Sequence, residues 1–187
     1  MKKIITVLMM SLLFVPAVLG QTKKEKKEKL ETEEYKKMLE LIESATYDFE
    51  ADWANAQQGG QINLSTNPNF ITQQGGRINL STNPNFIKIN KDSANIFLPY
   101  FGNLYSGTSA VTGNSGIEFQ GLMKDYTMTA DDNKQRISVT FSAISKNEQY
   151  DFSLSFFKNG KTVVNVNSNY RSNIKYDGMT RKPEPKE

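Results

Sequence analysis

Residues 150–166 read YDFSLSFFKNGKTVVNV, and this stretch decides the fold. Apolar and polar side chains alternate on both sides of Asn159-Gly160, a turn-forming dipeptide, so the stretch predicts a β-hairpin. A two-residue turn would place Leu154 opposite Asn165, whereas a loop longer by one residue places it opposite Val164. Because a shift of one residue moves a whole row to the other face, we predict the longer loop, a type I turn with Gly160 left-handed in a G1 bulge.

The same period of two recurs from Thr46 to Tyr176. The predicted apolar rows are Tyr47, Phe49, Ala51 and Trp53; Ala94, Ile96, Leu98 and Tyr100; Ile117 and Phe119; Tyr126 and Met128; Ile137, Val139, Phe141 and Ala143; Tyr150, Phe152, Leu154 and Phe156; Thr162, Val164 and Val166; and Ile174 and Tyr176. Short strands without helical spacers predict a mainly β (α+β) fold with one antiparallel, strongly curved or barrel-like sheet of about 8 or more strands. Pro99 cannot donate to a ladder, so we expect its strand to be an edge or bulged strand.

One helix precedes the strands. Its apolar stripe is Tyr35, Met38, Leu39 and Ile42, spaced i, i+3, i+4 and i+7, and it ends near Ser44. We divide the chain into four parts. They are a signal peptide (1–20), a charged N-terminal helix (21–45), a β-rich domain (46–179) and a charged, proline-containing tail (180–187) that we expect to be disordered.

The N-terminus has the form of a secretory signal. Lys2 and Lys3 precede an apolar run from Ile4 to Val15, which is too short to span a bilayer comfortably, and Gly20 ends a cleavage site. A retained anchor is the alternative. Gln21 stands where a bacterial lipoprotein has cysteine. We therefore expect a periplasmic or otherwise exported protein, cleaved near Gly20, with no membrane span after cleavage.

Composition excludes several chemistries. The 187 residues contain no cysteine and no histidine, so disulfides, thiol nucleophiles, His-based triads and conventional zinc sites are excluded. Loss of Lys2 and Lys3 lowers the formal charge from +3 to +1, which gives no argument for binding nucleic acid. Asp131-Asp132-Asn133 lacks the glycine and glutamate of a calcium loop and predicts a turn. We predict no cofactor and no metal.

The chain repeats itself between residues 57 and 88. Gln57–Thr72 and Gln73–Lys88 are identical at fourteen of sixteen positions, which suggests a tandem duplication. Two such units are too few for a solenoid. Either copy can fill a single strand position, but if the first copy fills it, the strand Phe86-Ile87-Lys88-Ile89 is broken. We therefore favour the second copy in the sheet, with Gln57–Thr72 as a tolerated, looped-out insertion.

Several stretches resemble a known family. They are YDFEAD (47–52), INLSTNPNFIKINKDSANIFLPYFG (78–102), GIEF (116–119) and FFKNGKTVVNVNSNYRSNIKYDG (156–178). They resemble domain-of-unknown-function family 4251 (DUF4251), exported proteins of Gram-negative gut-type bacteria, over residues 31–179, and Leu98–Gly102 is the most specific element. The resemblance implies export and a compact β-rich domain. It implies no functional residue, because the family has no assigned activity. Members of the family usually carry the segment that is duplicated here only once.

Few residues are candidates for function. Trp53, Tyr100, Phe101 and Tyr105 could line a pocket for an apolar ligand, although aromatic residues at strand spacing are more often core. Asp48, Glu50 and Asp52 share a strand face at about 6.6–7 Å spacing, which glycosidase carboxylates also show, but a solvated face has the same pattern. Asp92-Ser93-Ala94 fits a short O-glycosylation pattern.

We therefore predict a non-catalytic binding domain with no catalytic residues. Its ligand would be a small apolar or peptide-like molecule held in a concave sheet or barrel mouth. The alternative is an envelope structural or interaction protein that uses an exposed strand edge to bind an envelope protein. A carboxylate-dependent hydrolase is the remote third possibility.

Overall fold

A computed structural model describes residues 15–56, 73–74, 77–105 and 116–185. Helix α1 (Val15–Glu43) precedes the strands in the described part of the chain. These are β1 (Thr46–Ala56), β2 (Gln73–Gln74), β3 (Arg77–Asn79), β4 (Phe86–Asn90), β5 (Ser93–Leu98), β6 (Ile117–Leu122), β7 (Lys124–Asp131), β8 (Arg136–Ser145), β9 (Glu148–Phe157), β10 (Lys161–Ser168) and β11 (Ile174–Arg181). In the described ranges no helix is both long and apolar enough to cross a membrane.

The strands form one antiparallel, nearly closed barrel. Their order is β6-β5-β4-β1-β11-β10-β9-β8-β7, and β3 pairs with β1 and β2. The two ends of this order, β6 and β7, are separated only by Met123. β6 pairs with β5 and β7 pairs with β8, so a single bent segment belongs to both ends of the sheet and almost closes it. The predicted fold class is confirmed.

The apolar rows face the barrel interior. Tyr47 meets Phe156 edge to face at 5.5 Å between ring centroids, and Phe141 stacks on Phe152 at 4.8 Å. The rows of β5, β8, β9, β10 and β11 are buried as predicted, because period-two alternation places every second side chain on one face. The barrel interior is therefore a packed side-chain core.

The predicted hairpin register is confirmed. Leu154 pairs with Val164 and Phe152 with Val166. The Gly160 N–H donates to the Phe157 carbonyl oxygen at 2.9 Å, and Gly160 has φ +81°. Burial of both apolar rows selects this register.

Helix α1 contacts β1, β8 and β9 through the predicted stripe. Tyr35, Met38 and Ile42 are buried. The Tyr35 hydroxyl donates to Asp132 at 2.7 Å, and burial together with this bond raises the Tyr35 pKa to about 12. The helix ends one residue before Ser44 and begins at Val15, inside the predicted leader. Cleavage near Gly20 stays a prediction.

The second copy of the duplicated segment pairs with β1. Arg77–Asn79 lie opposite Trp53–Asn55, and Ile87–Asn90 lie opposite Thr46–Phe49. The predicted looping out of Gln57–Thr72 lies outside the described residues.

Two expectations need correction. Leu98 belongs to β5, which lies between β4 and β6, so it is not an edge strand. Pro99 follows the last paired residue and therefore removes no ladder hydrogen bond. β11 continues through Arg181, two residues beyond the expected domain boundary, because the Thr180 hydroxyl is buried against that of Thr162 at 2.8 Å.

Deletion of Gln57–Thr72 should leave the barrel intact. Ala56 would then join Gln73, and the connection from β1 to β3 would shorten from residues 57–76 to residues 73–76. Closure of the shorter loop favours folding by about 1 kcal/mol, which offsets loss of the β2 pairing. We expect a melting temperature, followed by circular dichroism, that is unchanged or a few degrees higher. A large loss of thermal stability would show that the first copy has a structural role.

Substitution of Gly178 by alanine should destabilise the barrel. An added Cβ would lie 2.0 Å from the Glu50 carbonyl oxygen and 2.6 Å from the Ala51 Cα. Both are backbone atoms, so the strands must separate, and overpacking of this kind lowers the free energy of unfolding by about 1–3 kcal/mol. Urea unfolding measures the change. Met179→Ala, at the next, outward-facing position, should shift stability by less than about 0.5 kcal/mol.

Candidate functional site

The candidate site is a groove of about 730 Å³ on the outer surface of the barrel. β1, β9, β10 and β11 supply its floor, and the β7–β8 and β9–β10 turns supply part of its rim. Ligand pockets usually have volumes of about 300–1,000 Å³. We call this feature the outer groove.

A β-bulge turns Trp53 into the outer groove. Ala51 pairs with Gly178, but Trp53 pairs with Asp177, so Asp52 is an extra residue in β1. The extra residue reverses the alternation: Ala51 and Ala54 are buried, whereas Trp53 is half-exposed. The expectation that Trp53 continues the inward row is therefore wrong, because a bulge changes the face that a strand presents.

The side chain of Asn85 holds this bulge. Its Oδ1 accepts from the Ala51 N–H at 2.6 Å, and its Nδ2 donates to the Ala51 carbonyl oxygen at 3.0 Å. β3 pairs with β1 beyond Ala51 and β4 pairs before it, so the amide replaces the missing ladder partner. Asn85 is only 5% exposed and makes a bidentate backbone contact, which explains why a polar side chain is buried there.

The floor of the outer groove is apolar. Trp53, Phe157, Val163 and Met179 line it from four adjacent strands. Phe157 and Met179 remain 39% and 40% exposed. Apolar side chains on the outer face of a sheet are not buried in the core, so a cluster of them indicates a binding surface.

The rim of the outer groove is mainly cationic. Four basic residues and two acidic ones line it, namely Arg77, Lys134, Lys158, Lys161, Asp52 and Asp177. The Arg77 guanidinium lies 4.8 Å from the Trp53 ring centroid and 3.4 Å from Asp177 Oδ2. Lys158 pairs with Glu31 at 2.7 Å, and its hydrogen bond lowers the Glu31 pKa. Within the described residues, the Lys161 ammonium takes part in no ion pair.

The other three aromatic candidates do not line the outer groove. Tyr100 is buried, with its hydroxyl 2.8 Å from the Ser172 carbonyl oxygen and 3.0 Å from that of Asn103. Phe101 packs half-buried against the core. Tyr105 is 67% exposed, and its N–H donates to the Tyr170 carbonyl oxygen at 2.7 Å. The structure therefore does not bring the four candidates together, and a binding role for each stays a prediction.

Tyr100 belongs instead to a buried ionic network that includes the β10–β11 connection. Arg171 contacts Glu148 through Nε at 2.5 Å and through an η nitrogen at 2.8 Å. The same η nitrogen donates to the Tyr150 hydroxyl at 2.9 Å, and the guanidinium lies 4.8 Å from the Tyr100 ring centroid. Ser168 donates to Glu148 at 2.6 Å. Both charged side chains are nearly inaccessible, at 2% and 6% exposure.

The charged groups of this network are satisfied by hydrogen bonds from other members of the network. Burial alone would raise the Glu148 pKa, but the hydrogen bonds from Arg171 and Ser168 outweigh burial and hold that pKa below its usual value. Burial also raises the pKa values of Tyr100 and Tyr150. A carboxylate whose acceptors are used by a bidentate arginine and a hydroxyl is a poor base. We interpret the network as a structural clamp rather than a reaction site.

The three strand-face carboxylates make different contacts. Asp48 pairs with Lys88 at 3.9 Å, Glu50 pairs with Arg181, and Asp52 lines the outer groove. Among the described residues, no group of three potential ligands is arranged to hold a metal ion. Ser93 opens β5, and its hydroxyl donates to the Asn90 carbonyl oxygen at 2.8 Å.

Sequence reasoning missed Phe157, Val163, Met179 and the basic rim. A usable signal existed: Phe157 and Met179 are large apolar residues at the outward positions of alternating strands. The contribution of Arg77 required the pairing of β3 with β1, which periodicity does not reveal.

Comparison with known proteins identifies a family whose function is unknown. The family model described as "Domain of unknown function (DUF4251)" matches residues 29–180. The crystal structure of a DUF4251 family protein from Bacteroides eggerthii DSM 20697 shares 16% sequence identity with this chain. The match covers 82% of this chain and 90% of that chain, with a TM-score of 0.57, and at this identity it establishes the fold alone. No curated protein matches.

Removal of either charge from the buried network should be strongly destabilising. Glu148→Gln removes the carboxylate that pairs with buried Arg171, and breaking a buried ion pair in this way lowers the free energy of unfolding by about 3–5 kcal/mol. Because the Glu148 pKa is lowered on folding, its stabilising contribution is present above pH 4.5 and is lost as the pH falls through the lowered pKa.

Urea unfolding between pH 7 and pH 3 tests both statements. Glu148→Gln should lose most stability at pH 7 and show a flatter decline in acid. The Glu148→Gln/Arg171→Met double variant should recover part of the loss. Equal acid dependence in wild type and Glu148→Gln would contradict the assignment.

Proposed function

Because the chain belongs to the DUF4251 family, we propose that it is an exported, non-catalytic binding domain whose ligand occupies the outer groove. The observation that carries the proposal is the juxtaposition of an apolar floor and a cationic rim in one groove of about 730 Å³. The ligand is apolar or peptide-like, as the aromatic content of the sequence suggested. The outer groove differs from the concave sheet or barrel mouth expected from the sequence, because core side chains occupy the barrel interior.

The positive charge of the rim indicates that the ligand also carries an anionic group. Four cations face two carboxylates, and Asp177 already contacts Arg77, Lys175 at 3.4 Å and the Asn55 amide at 2.8 Å. Lys134 pairs with Asp131 at 3.2 Å and Lys158 pairs with Glu31 at 2.7 Å, so among the described rim cations Lys161 has no ion pair and is the best placed to pair with a ligand. An apolar body with a carboxylate, such as the end of a peptide, fits both features.

Export rests on the sequence. The Lys2-Lys3 start, the apolar run to Val15 and Gly20 support a cleaved signal, and absence of cysteine is compatible with an oxidising compartment. The strand-edge alternative has less support. β6 and β7 meet at Met123, and β2, as far as the structure describes it, consists of Gln73–Gln74 and pairs with β3.

An anionic aromatic probe tests the groove. The fluorescent dye 8-anilinonaphthalene-1-sulfonate combines an apolar body with a sulfonate, and Trp53, the single tryptophan, reports contact through quenching or energy transfer. We expect the double variant Trp53→Phe/Met179→Ala and the single variant Lys161→Glu each to weaken dye binding by about tenfold, equivalent to about 1.4 kcal/mol. Fluorescence titration of the folded proteins measures the affinity.

Tyr105→Ala is the matched control, because it removes an exposed aromatic ring outside the groove. It should leave dye affinity unchanged. The affinity for the neutral dye N-phenyl-1-naphthylamine should fall in the Trp53→Phe/Met179→Ala double variant but not in Lys161→Glu. Equal dye binding by wild type and both groove variants would contradict the proposed site.

A further inference from the structure

β3 and Leu80 form a short segment, Arg77–Leu80, that covers one side of β1, and we call this segment the plug. Ile78 and Leu80 are 2% and 0% exposed, and the Leu80 N–H donates to the Asp52 carbonyl oxygen at 2.8 Å. Ile78 pairs with Ala54, and Asn79 pairs with Trp53. These contacts use only the backbone and the side chains of three consecutive residues.

The chain contains the same plug twice. Ile62, Asn63 and Leu64 repeat Ile78, Asn79 and Leu80, sixteen residues earlier. Every side chain that β3 buries against the core therefore has an identical counterpart. The one difference between the two copies of the plug is its first residue, where Gln61 corresponds to Arg77.

The connections are also equivalent in length. With Arg77–Leu80 in place, residues 57–76 link β1 to the plug and residues 81–84 link the plug to Asn85. With Gln61–Leu64 in place, residues 57–60 and residues 65–84 make the same two links. One connection of 4 residues and one of 20 occur in both arrangements. Loop-closure entropy therefore does not discriminate between them.

Two contacts favour Arg77–Leu80. The Arg77 guanidinium lies over the Trp53 ring at 4.8 Å and contacts Asp177 at 3.4 Å, and uncharged Gln61 cannot replace either interaction. Gln73 and Gln74 also pair with β3 in this arrangement. The Arg77 side chain is 47% exposed, so the advantage of its contacts is modest.

β4 cannot be exchanged in the same way. Ile89 is 1% exposed, and the residue sixteen positions earlier is Gln73. A first copy in the β4 position would bury that amide in an apolar core without a partner. The first copy can therefore replace the second only at residues before Asn85.

We propose that Gln61–Leu64 is a second occupant of the β3 position, which exchanges with Arg77–Leu80 while β4 stays in place. The exchange takes place within one chain, because a tether of four residues after Ala56 gives a far higher effective concentration than a second molecule. In the exchanged form Gln61 replaces Arg77 beside Trp53, so the outer groove loses one cation.

Aspartate substitutions in the two plugs test the redundancy. Ile78→Asp alone should lower the melting temperature by only a few degrees, because Ile62 takes the buried position. Ile62→Asp alone should have no effect. The Ile62→Asp/Ile78→Asp double variant should lose cooperative unfolding, since neither plug can then be buried. Ile87→Asp is the matched control: Ile71 is its counterpart, but β4 has no usable substitute, so this variant should be as damaging as the double variant.

Each outcome decides the matter. Loss of folding in Ile78→Asp, damage from Ile62→Asp, or tolerance of the double variant would overturn the proposal. Size-exclusion chromatography of Ile78→Asp should give a monomer, and a dimer would overturn exchange within one chain.

The single tryptophan gives a second readout. Gln61→Arg makes the two plugs equal at their first residue, so a second indole N–H signal of Trp53 should rise several-fold by nuclear magnetic resonance. Thr72→Lys changes the other differing position, outside the plug, and should leave the spectrum unchanged. One identical indole signal in wild type and in Gln61→Arg, without exchange broadening, would contradict the proposal.

Discussion

The bulge at Asp52 is the constraint on which the rest of the structure depends. Asn85 binds both backbone groups of Ala51, while Gly178 lets β11 approach the same residue from the other side. The bulge divides the β1 edge between β3 and β4 and turns Trp53 outward. Without the amide, two buried backbone groups would lack a partner at a free-energy cost of about 1–3 kcal/mol each. Without the glycine, the strands could not approach so closely.

Different chemistries hold the helix and the β10–β11 connection to the barrel. Helix α1 covers the turns at Asp132 and Lys158 with apolar side chains, the part-buried hydrogen bond from Tyr35 to Asp132, and the partly exposed ion pair between Glu31 and Lys158. Ion pairs of this last kind contribute little individually. The connection is held by Arg171 and Glu148, whose desolvation is offset because Ser168, Tyr150 and the Tyr100 ring complete their shell. Tyr100 was a candidate ligand contact because it is aromatic. Its place beside Arg171 instead makes it part of the clamp that holds the β10–β11 connection.

Local patterns predicted most of the fold. Alternation is a property of neighbouring residues, so the rows of β8 to β11 and the hairpin register could be read from residues 136–176. The bulge could not, because its cause is an asparagine 34 residues away along the chain. Trp53 was consequently assigned to the wrong face. Tyr100 was correctly placed in a buried row, but its role depends on Arg171, which only the closed barrel brings within reach.

The duplicated segment shows how such a constraint decides between nearly identical sequences. Both copies contain the asparagine that could hold the bulge, Asn69 and Asn85, and both contain the apolar plug. What distinguishes the second copy in β4 is the residue after it: Ile89 continues the buried row, whereas Gln73 would interrupt it. In β3 the distinction is only electrostatic, through Arg77. A packed core therefore fixes β4 firmly, while an exposed charge fixes β3 weakly, and the outer groove lies directly beside the weaker of the two.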